Sequence, residues 1–318
     1  MDLHIRTATP DDFAEIVAII RQHEPDSSAT VESMKRADAH LEPPYLRQRF
    51  VALQDGKIVG YSLYSHSIEL YHPRKFFVYA HVDRCRQGQG IGSALYEHLM
   101  TALKPQHPQV LWTDTSEAWP QAQQFLRGKG FTETTRAWES TINPQTFDPT
   151  PYAEAEARVL AQGFRILNWD QLVFDPERNQ KYWRLEMALS ADMPRPEGSE
   201  FTEYSYANFV KRFLEDPNFI PPANLIALAP DGRYVGLNAI WKDEASGQLN
   251  NGTTGTLPEF KRRGIALALK VKNLLWAKEH GYTCIRTFNR SDNLPMWSLN
   301  ERLGFVRKPA WVSFEKRL

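Results

Sequence analysis

The sequence predicts an α/β protein built from two diverged copies of one layered domain. Three observations carry that expectation. Short β-rich runs alternate with helix-period patterns, the signature of mixed layers. D-G-K-I-V-G at 55–60 returns as D-G-R-Y-V-G at 231–236, 176 residues later. Q-G-Q-G-I-G at 87–92 returns as K-R-R-G-I-A at 261–266, and G-K-G-F ending at Phe131 returns as R-L-G-F ending at Phe305, both 174 residues apart. Repeated landmarks in one order and at nearly one offset define a duplicated unit.

Each element of the first copy has a local reason. L-H-I-R at 3–6 reads as a short strand. Thr9 then stands where a helix cap is wanted, with Pro10 at the first position and Asp12 in the first turn. Asp55-Gly56 lies between apolar runs, a hairpin turn. F-F-V-Y-A-H-V at 76–82 is rich in β formers. After the glycine-rich loop, Ile91, Leu95 and Leu99 recur every four residues, as on one face of a helix. Q-V-L-W-T at 109–113 is a further strand, and Pro120 to Arg127 a shorter helix.

The join is legible in composition. N-P-Q-T-F-D-P-T-P at 143–151 holds three prolines, which marks a linker and puts the boundary near 145. The expected domains are 1–145 and 146–318. Thr150 is expected to cap a helix with Pro151 at its first position and Gly163 beyond its end. S-A-D-M-P-R-P-E-G-S-E at 190–200 reads as loop.

Composition narrows the function classes. The chain has 318 residues, 42% hydrophobic, with 38 basic and 38 acidic residues and no net charge. A basic surplus, the usual mark of a nucleic-acid or anionic-membrane binder, is missing. Two cysteines, Cys85 and Cys284, make neither a disulfide framework nor a zinc cluster, so no metal is expected. The opening M-D-L-H-I-R lacks the basic and apolar regions of a signal peptide. No apolar run approaches the ~18 residues of a spanning helix. A cytoplasmic protein is the expectation.

The glycine-rich loop poses the functional question. A strand, a glycine turn and a helix N-terminus make an anion site, because the first helix amides lack partners and the macrodipole is positive there. Glycines remove the Cβ atoms that would hold a phosphate away. In the second loop Lys261, Arg262 and Arg263 bring charge to the same position, which a merely conformational need does not explain. Neither nucleotide fingerprint fits: the first loop reads G-x-G-x-G, not G-x-G-x-x-G, and the P-loop motif is absent.

The pattern Gln87-x-x-Gly90-x-Gly92, closing a strand and opening a helix, resembles the acyl-CoA pyrophosphate loop of the GNAT superfamily of N-acetyltransferases. Lys261-x-x-Gly264-x-Ala266 is its diverged counterpart. A-x-x-F-L-x-x-x-G-F at 122–131 and N-x-P-M-W-S-L-N-E-R-L-G-F at 293–305 resemble the family's later motif. The resemblance covers most of both copies. It implies two tandem GNAT folds, each a mixed, mostly antiparallel twisted sheet flanked by helices. It also implies acetyl-CoA as donor substrate and a primary amine of a small molecule or peptide as acceptor. A tandem chain already has the pairing that single-domain relatives reach by dimerising, so a monomer is expected.

Carried over residue by residue, the resemblance assigns Gln87, Gly88, Gln89, Gly90, Ile91, Gly92 and Ser93 to one phosphate loop. Lys261, Arg262, Arg263, Gly264, Ile265 and Ala266 form the other. The backbone donor near a strand bulge matches Val82 and Thr256, and Asn289 would hold the pantetheine amides, with Thr115 as its weaker partner. The family's acidic Tyr is missing: Leu126 and Asn300 stand at that position, and only Asn300 donates a hydrogen bond. For the base, His81 and Asp83 flank the first bulge position, where the second copy has Gly255 and Leu257. The second copy offers Asp243, Glu244 or Glu259. The catalytic set expected is Asn300, Glu244 and His81, with the polar residues favouring the C-terminal copy. Trp169, Tyr182, Trp183, Trp241 and Trp297 are candidates for an acceptor wall or for core. The missing tyrosines also leave open a CoA-binding sensor or scaffold without turnover.

Overall fold

The computed structural model describes residues 3–318. The first half runs β1 (Leu3–Thr7), α1 (Phe13–His23), α2 (Val31–Ala39), β2 (Arg47–Gln54), β3 (Lys57–Ser65), β4 (Lys75–Val82), α3 (Ile91–Leu103), β5 (Val110–Ser116), α4 (Pro120–Gly128) and β6 (Thr132–Ile142). After a connector helix, α5 (Ala155–Leu160), the same order returns. It comprises β7 (Arg165–Asn168), α6 (Arg178–Ala191), α7 (Tyr206–Phe209), β8 (Leu225–Leu228), β9 (Tyr234–Lys242), β10 (Leu249–Thr256), α8 (Ile265–Glu279), β11 (Ile285–Arg290), α9 (Leu294–Leu303) and β12 (Val306–Arg317). The repeat seen in the sequence is thus a repeat of elements.

All strands join one twelve-stranded sheet, ordered β1-β2-β3-β4-β5-β12-β6-β11-β10-β9-β8-β7. The closing strands are exchanged. β12 pairs with β5 of the first half, and β6 pairs with β11 of the second. The two also pair with each other over Val306↔Thr141 to Glu315↔Thr132. Among the described residues only β4/β5 and β10/β11 are parallel; the other pairs are antiparallel.

The recurring D-G-x-x-x-G has a packing reason. A Cβ on Gly60 would lie 2.9 Å from the His81 carbonyl oxygen and 3.0 Å from Leu95 Cδ1. On Gly236 it would lie 2.8 Å from Ile265 Cγ2. Each glycine lets the helix after its loop sit directly on the hairpin. On that helix face Ile91, Leu95, Leu99 and Leu103 are buried, each contributing on the order of 2 kcal/mol.

Three local expectations change. The Asp55-Gly56 turn is a two-residue hairpin with both φ values positive, 51° and 75°. Its counterpart is wider, closed by Ala229 N–H donating to the Arg233 carbonyl. The helix expected from Thr150 is instead a 3-10 turn at Thr150–Tyr152, capped by Pro149 with Thr150 inside it, followed by α5. Of the two bulges expected beside the glycine loops, the one in β10 is present, between Asn251 and Thr254 upstream of Thr256, whereas β4 keeps unbroken register with β3 through Val82.

Candidate functional site

The first half opens a cleft by parting two strands. β4 and β5 pair for three residues, Lys75↔Val110 to Phe77↔Trp112, and then diverge. β4 stays with β3, so its other edge loses a partner. Asp83 N–H donates to the Val59 carbonyl at 2.9 Å. By the alternation of an antiparallel ladder, the amides of Ala80 and Val82 therefore face the gap. Here the splay, rather than a bulge, frees the backbone donors.

The resulting cleft has a volume of about 630 Å³. Gln87, Gly88, Gly90, Ile91, Gly92 and Ser93 line one mouth, with Arg84 and Arg86 beside them. Gly88 and Gly90 sit at φ 75° and 81°, a conformation that disfavours any Cβ. A Cβ at either would meet nothing within 4 Å, so the space over the loop is open. Gly90 caps α3, whose first amides point out of the helix end. An open cradle of amides flanked by two arginines fits a pyrophosphate. Tyr96 of α3, Phe125 and Leu126 of α4, Phe131 just after α4 and Thr115 of β5 continue the lining as a mostly apolar channel.

At the other mouth, sequence reasoning singles out His81 but none of its neighbours there. Glu24 follows the last turn of α1 and lines the cleft with His23, Tyr79, His81, Asp114, Trp119 and Trp311. His23 Nε2 lies 2.8 Å from the Val82 carbonyl. Burial, reinforced by Glu139, pushes the Glu24 carboxyl up to about 7. His81 lies 3.9 Å from Glu24 and stacks on Tyr61. Burial and the neighbouring His23 bring the His81 imidazole down to about 4. His81 is therefore neutral near pH 7 and a weak base, whereas Glu24 titrates where a general base is most effective. Asp114 accepts from Ser313 Oγ at 2.6 Å and from the Tyr79 hydroxyl at 3.3 Å, and burial raises its carboxyl. Trp311 and Ser313 lie on β12, so the exchanged strand completes this site from the second half. Asp83 points elsewhere, accepting from Gln22 and the Cys85 amide.

The C-terminal counterpart has the same splay after Asn251↔Thr287 but different contents. Gly264 caps α8 at φ 83°, and Val159 of α5 lies against it. Two of the three loop cations are engaged within the protein. Lys261 pairs with Asp192 at 2.6 Å, and Arg263 lies over the rings of Phe164 and Phe260. Arg262 carries the loop's positive φ at 64°; Ile265 is buried and Ala266 half-buried behind it. Lys270, at the position of Tyr96, is buried with its ammonium 2.8 Å from Asn251 Oδ1. On the opposite face Leu189 covers Gly255, and the Thr253 hydroxyl donates to buried Glu186. Thr256 lies at the end of β10, paired with Gly236.

The expected C-terminal catalytic groups do not converge. Glu244 is ion-paired with Arg36 and accepts from Thr30 and Asn218, which lowers its carboxyl. Asp243 is ion-paired with Arg286. Glu259 faces Arg233 on the surface at 3.5 Å. Asn300 is fully buried, donating to Asn289 Oδ1 at 2.8 Å. Trp169, Tyr182 and Trp297 are buried, the first two within one core cluster; Trp183 packs against that cluster, and Trp241 lies against Phe213 and Phe219 beside it. Among the described residues no group of three or more potential metal ligands converges, and no helix is long and apolar enough to cross a membrane.

Comparison with known proteins agrees with this geometry. Residues 47–133 match the acetyltransferase (GNAT) domain family. A mycothiol acetyltransferase of Arthrobacter sp. (strain FB24) is 29% identical over 147 residues, covering 44% of this chain and 43% of that protein. The chain thus aligns with less than half the length of that relative. A tandem GNAT protein from the clavulanic acid biosynthesis pathway superposes with a TM-score of 0.75 at 17% identity, over 99% of this chain and 98% of the other. A GCN5-related N-acetyltransferase from Sphaerobacter thermophilus gives 0.72 at 17% identity, over 99% and 95%. The whole chain shares the fold of that tandem GNAT protein, and the match to the GNAT domain family falls on the half that carries the open cleft.

Proposed function

We propose that the chain is an N-acetyltransferase whose N-terminal half moves an acetyl group from acetyl-CoA to a primary amine of a small molecule or peptide. One observation carries this reading. A single cleft between β4 and β5 has the glycine loop at one mouth and a carboxyl titrating near 7 at the other. Acetyl-CoA supplies a thioester carbonyl. The loop amides and Arg84 and Arg86 grip its pyrophosphate, and the amides of Ala80 and Val82 stabilise the developing oxyanion. Glu24 takes the proton that the amine loses as its lone pair forms the C–N bond. The C–S bond breaks and the thiolate leaves, which a thiol pKa of ~8.5 permits without an acid. The chain divides near residue 145 and works as a cytoplasmic monomer, the second half standing where a partner subunit would.

Two assays test this. Calorimetric titration with acetyl-CoA is expected to give one site per chain, lost on Gly90→Trp and kept on Gly264→Trp. Release of free CoA thiol is then followed with putrescine, glucosamine, benzylamine and a lysine peptide. Binding without turnover on any of the four would leave a CoA-binding module; no binding would end the reading altogether.

A further inference from the structure

The segment that carries Glu24 is held from the other half of the molecule. Arg286 on β11 donates to the Asp26 carbonyl at 2.5 Å and to Ser28 Oγ at 3.3 Å. The same guanidinium is ion-paired with Asp243, which also accepts from the Ser28 hydroxyl. Asp243 is 1% exposed, so the pair is shielded from water. Asn250 and Ser246 hold the Asp243 carboxylate from behind. Lys308 on β12 bridges Asp26 at 2.9 Å and Glu139 at 2.8 Å. Thr30 and Arg36, further along, meet Glu244.

The arrangement has a counterpart in the first half, where the β3–β4 connection docks on the second half's loops. Glu69 and Tyr71 share backbone-side contacts with Thr202, and Ile68 packs on the cluster around Tyr182. Each half's connection therefore covers the segment that would border the other half's cleft. Only the second half's connection carries carboxylates at its start. The positions matching Asp243 and Glu244 in the first half are Ser67 and Ile68.

We infer that Asp243 and Arg286 form a positioning clamp that fixes Glu24 over the N-terminal cleft. The inference rests on the proposed acyl transfer at that cleft. Glu24 is fixed on one side by α1, where its N–H bonds the Ile20 carbonyl and His23 anchors to Val82. On the other side, between Asp26 and Ser28, the chain has the clamp. Misplacement of a catalytic group by about 1 Å costs up to ~100-fold in rate, so loosening this end acts on catalysis without touching the phosphate loop.

The test is Arg286→Met, with Ser28→Ala as the milder variant should the first fail to fold. Hydrogen–deuterium exchange and acetyl-CoA calorimetry are read on both. The clamp predicts faster exchange at amides 25–30, unchanged exchange at 91–99 and unchanged acetyl-CoA affinity. It also predicts a fall of about tenfold in kcat/KM for the best amine of the panel, with a smaller fall for Ser28→Ala. Unchanged exchange at 25–30 in a folded variant overturns the clamp. So does faster exchange with unchanged kcat/KM, or an equal loss of acetyl-CoA affinity, which marks a general structural role. If the unmodified protein turns over no amine, the function reading has failed instead, and the exchange measurement still decides whether the clamp holds the segment.

Discussion

His23 Nε2 sits 2.8 Å from the carbonyl oxygen of Val82, tying the last turn of α1 to the end of β4 where that strand has lost its neighbour. The contact brings the next residue, Glu24, to the mouth of the cleft opposite the glycine loop. Two regions 59 residues apart in sequence thus become one site. Both belong to the first half, and the strand that closes the site belongs to the second.

Glu24→Gln tests the base. It keeps the size and removes the proton acceptor, so kcat is expected to fall by ~10²–10⁴ while acetyl-CoA affinity holds. The pH profile carries independent information. With its carboxyl at about 7, Glu24 is active only when ionised, so wild-type kcat/KM rises through pH 7 and then levels. A rate–pH profile of the wild type, flat between 5.5 and 8.5, would remove Glu24 from the role.

Gly90 and Gly264 share a backbone conformation, φ 81° and 83°. An added Cβ costs about 1–2 kcal/mol in either place. Gly90→Ala and Gly264→Ala are therefore expected to lower stability alike. They differ in binding, because only Gly90 borders the open cleft. Paired denaturation and calorimetry on both variants would show matched stability losses and weakened acetyl-CoA binding for Gly90→Ala alone.

Lys270 is 2% exposed, and burial lowers its ammonium from 10.5 to about 7. Between those values the unfolded chain binds a proton that the native state lacks. Stability therefore rises with pH across that window, and the cost is fully present below pH 7. The shift corresponds to at most about 5 kcal/mol. Lys270→Met removes the titration while losing the Asn251 contact. Denaturant unfolding at pH 6.5 is expected to show a gain of about 1–3 kcal/mol, shrinking toward pH 10.5. An equal effect at every pH would mean that Lys270 keeps its proton when buried.

The repeat, its elements and the first glycine loop were legible in the sequence because each rests on local chemistry: a D-G turn, a period of four, a glycine before a helix. The strand exchange was not. β6 and β12 have the same apolar alternation wherever they pair, and no local signal records which half receives them. Glu24 was hidden for a related reason. It is one acid among 38 in sequence, and only the parting of β4 from β5 gives it a cavity to face. The polar residues of the second half look free for chemistry in the sequence because their partners are distant in the chain. Asn300 donates to Asn289, and Asp243 and Glu244 meet Ser28 and Arg36 of the first half, so their polar groups are engaged in packing and docking.

The exchange makes a prediction that a pair of independent domains would not. Trp311 lies on β12 of the second half, yet its ring meets Trp119 edge-on at 5.6 Å on the wall of the first half's cleft. Trp119 in turn meets the His23 ring edge-on at 6.2 Å, so Trp311 joins the aromatic group beside Glu24. Trp311→Ala is therefore expected to raise the acceptor KM by about tenfold, the scale of one lost aromatic contact, with acetyl-CoA affinity unchanged. Initial-rate kinetics varying each substrate separately would read this directly. A change confined to the acetyl-CoA KM would put Trp311 on the donor side, and no change in either would mean that the exchanged strand supports the sheet without shaping the acceptor site.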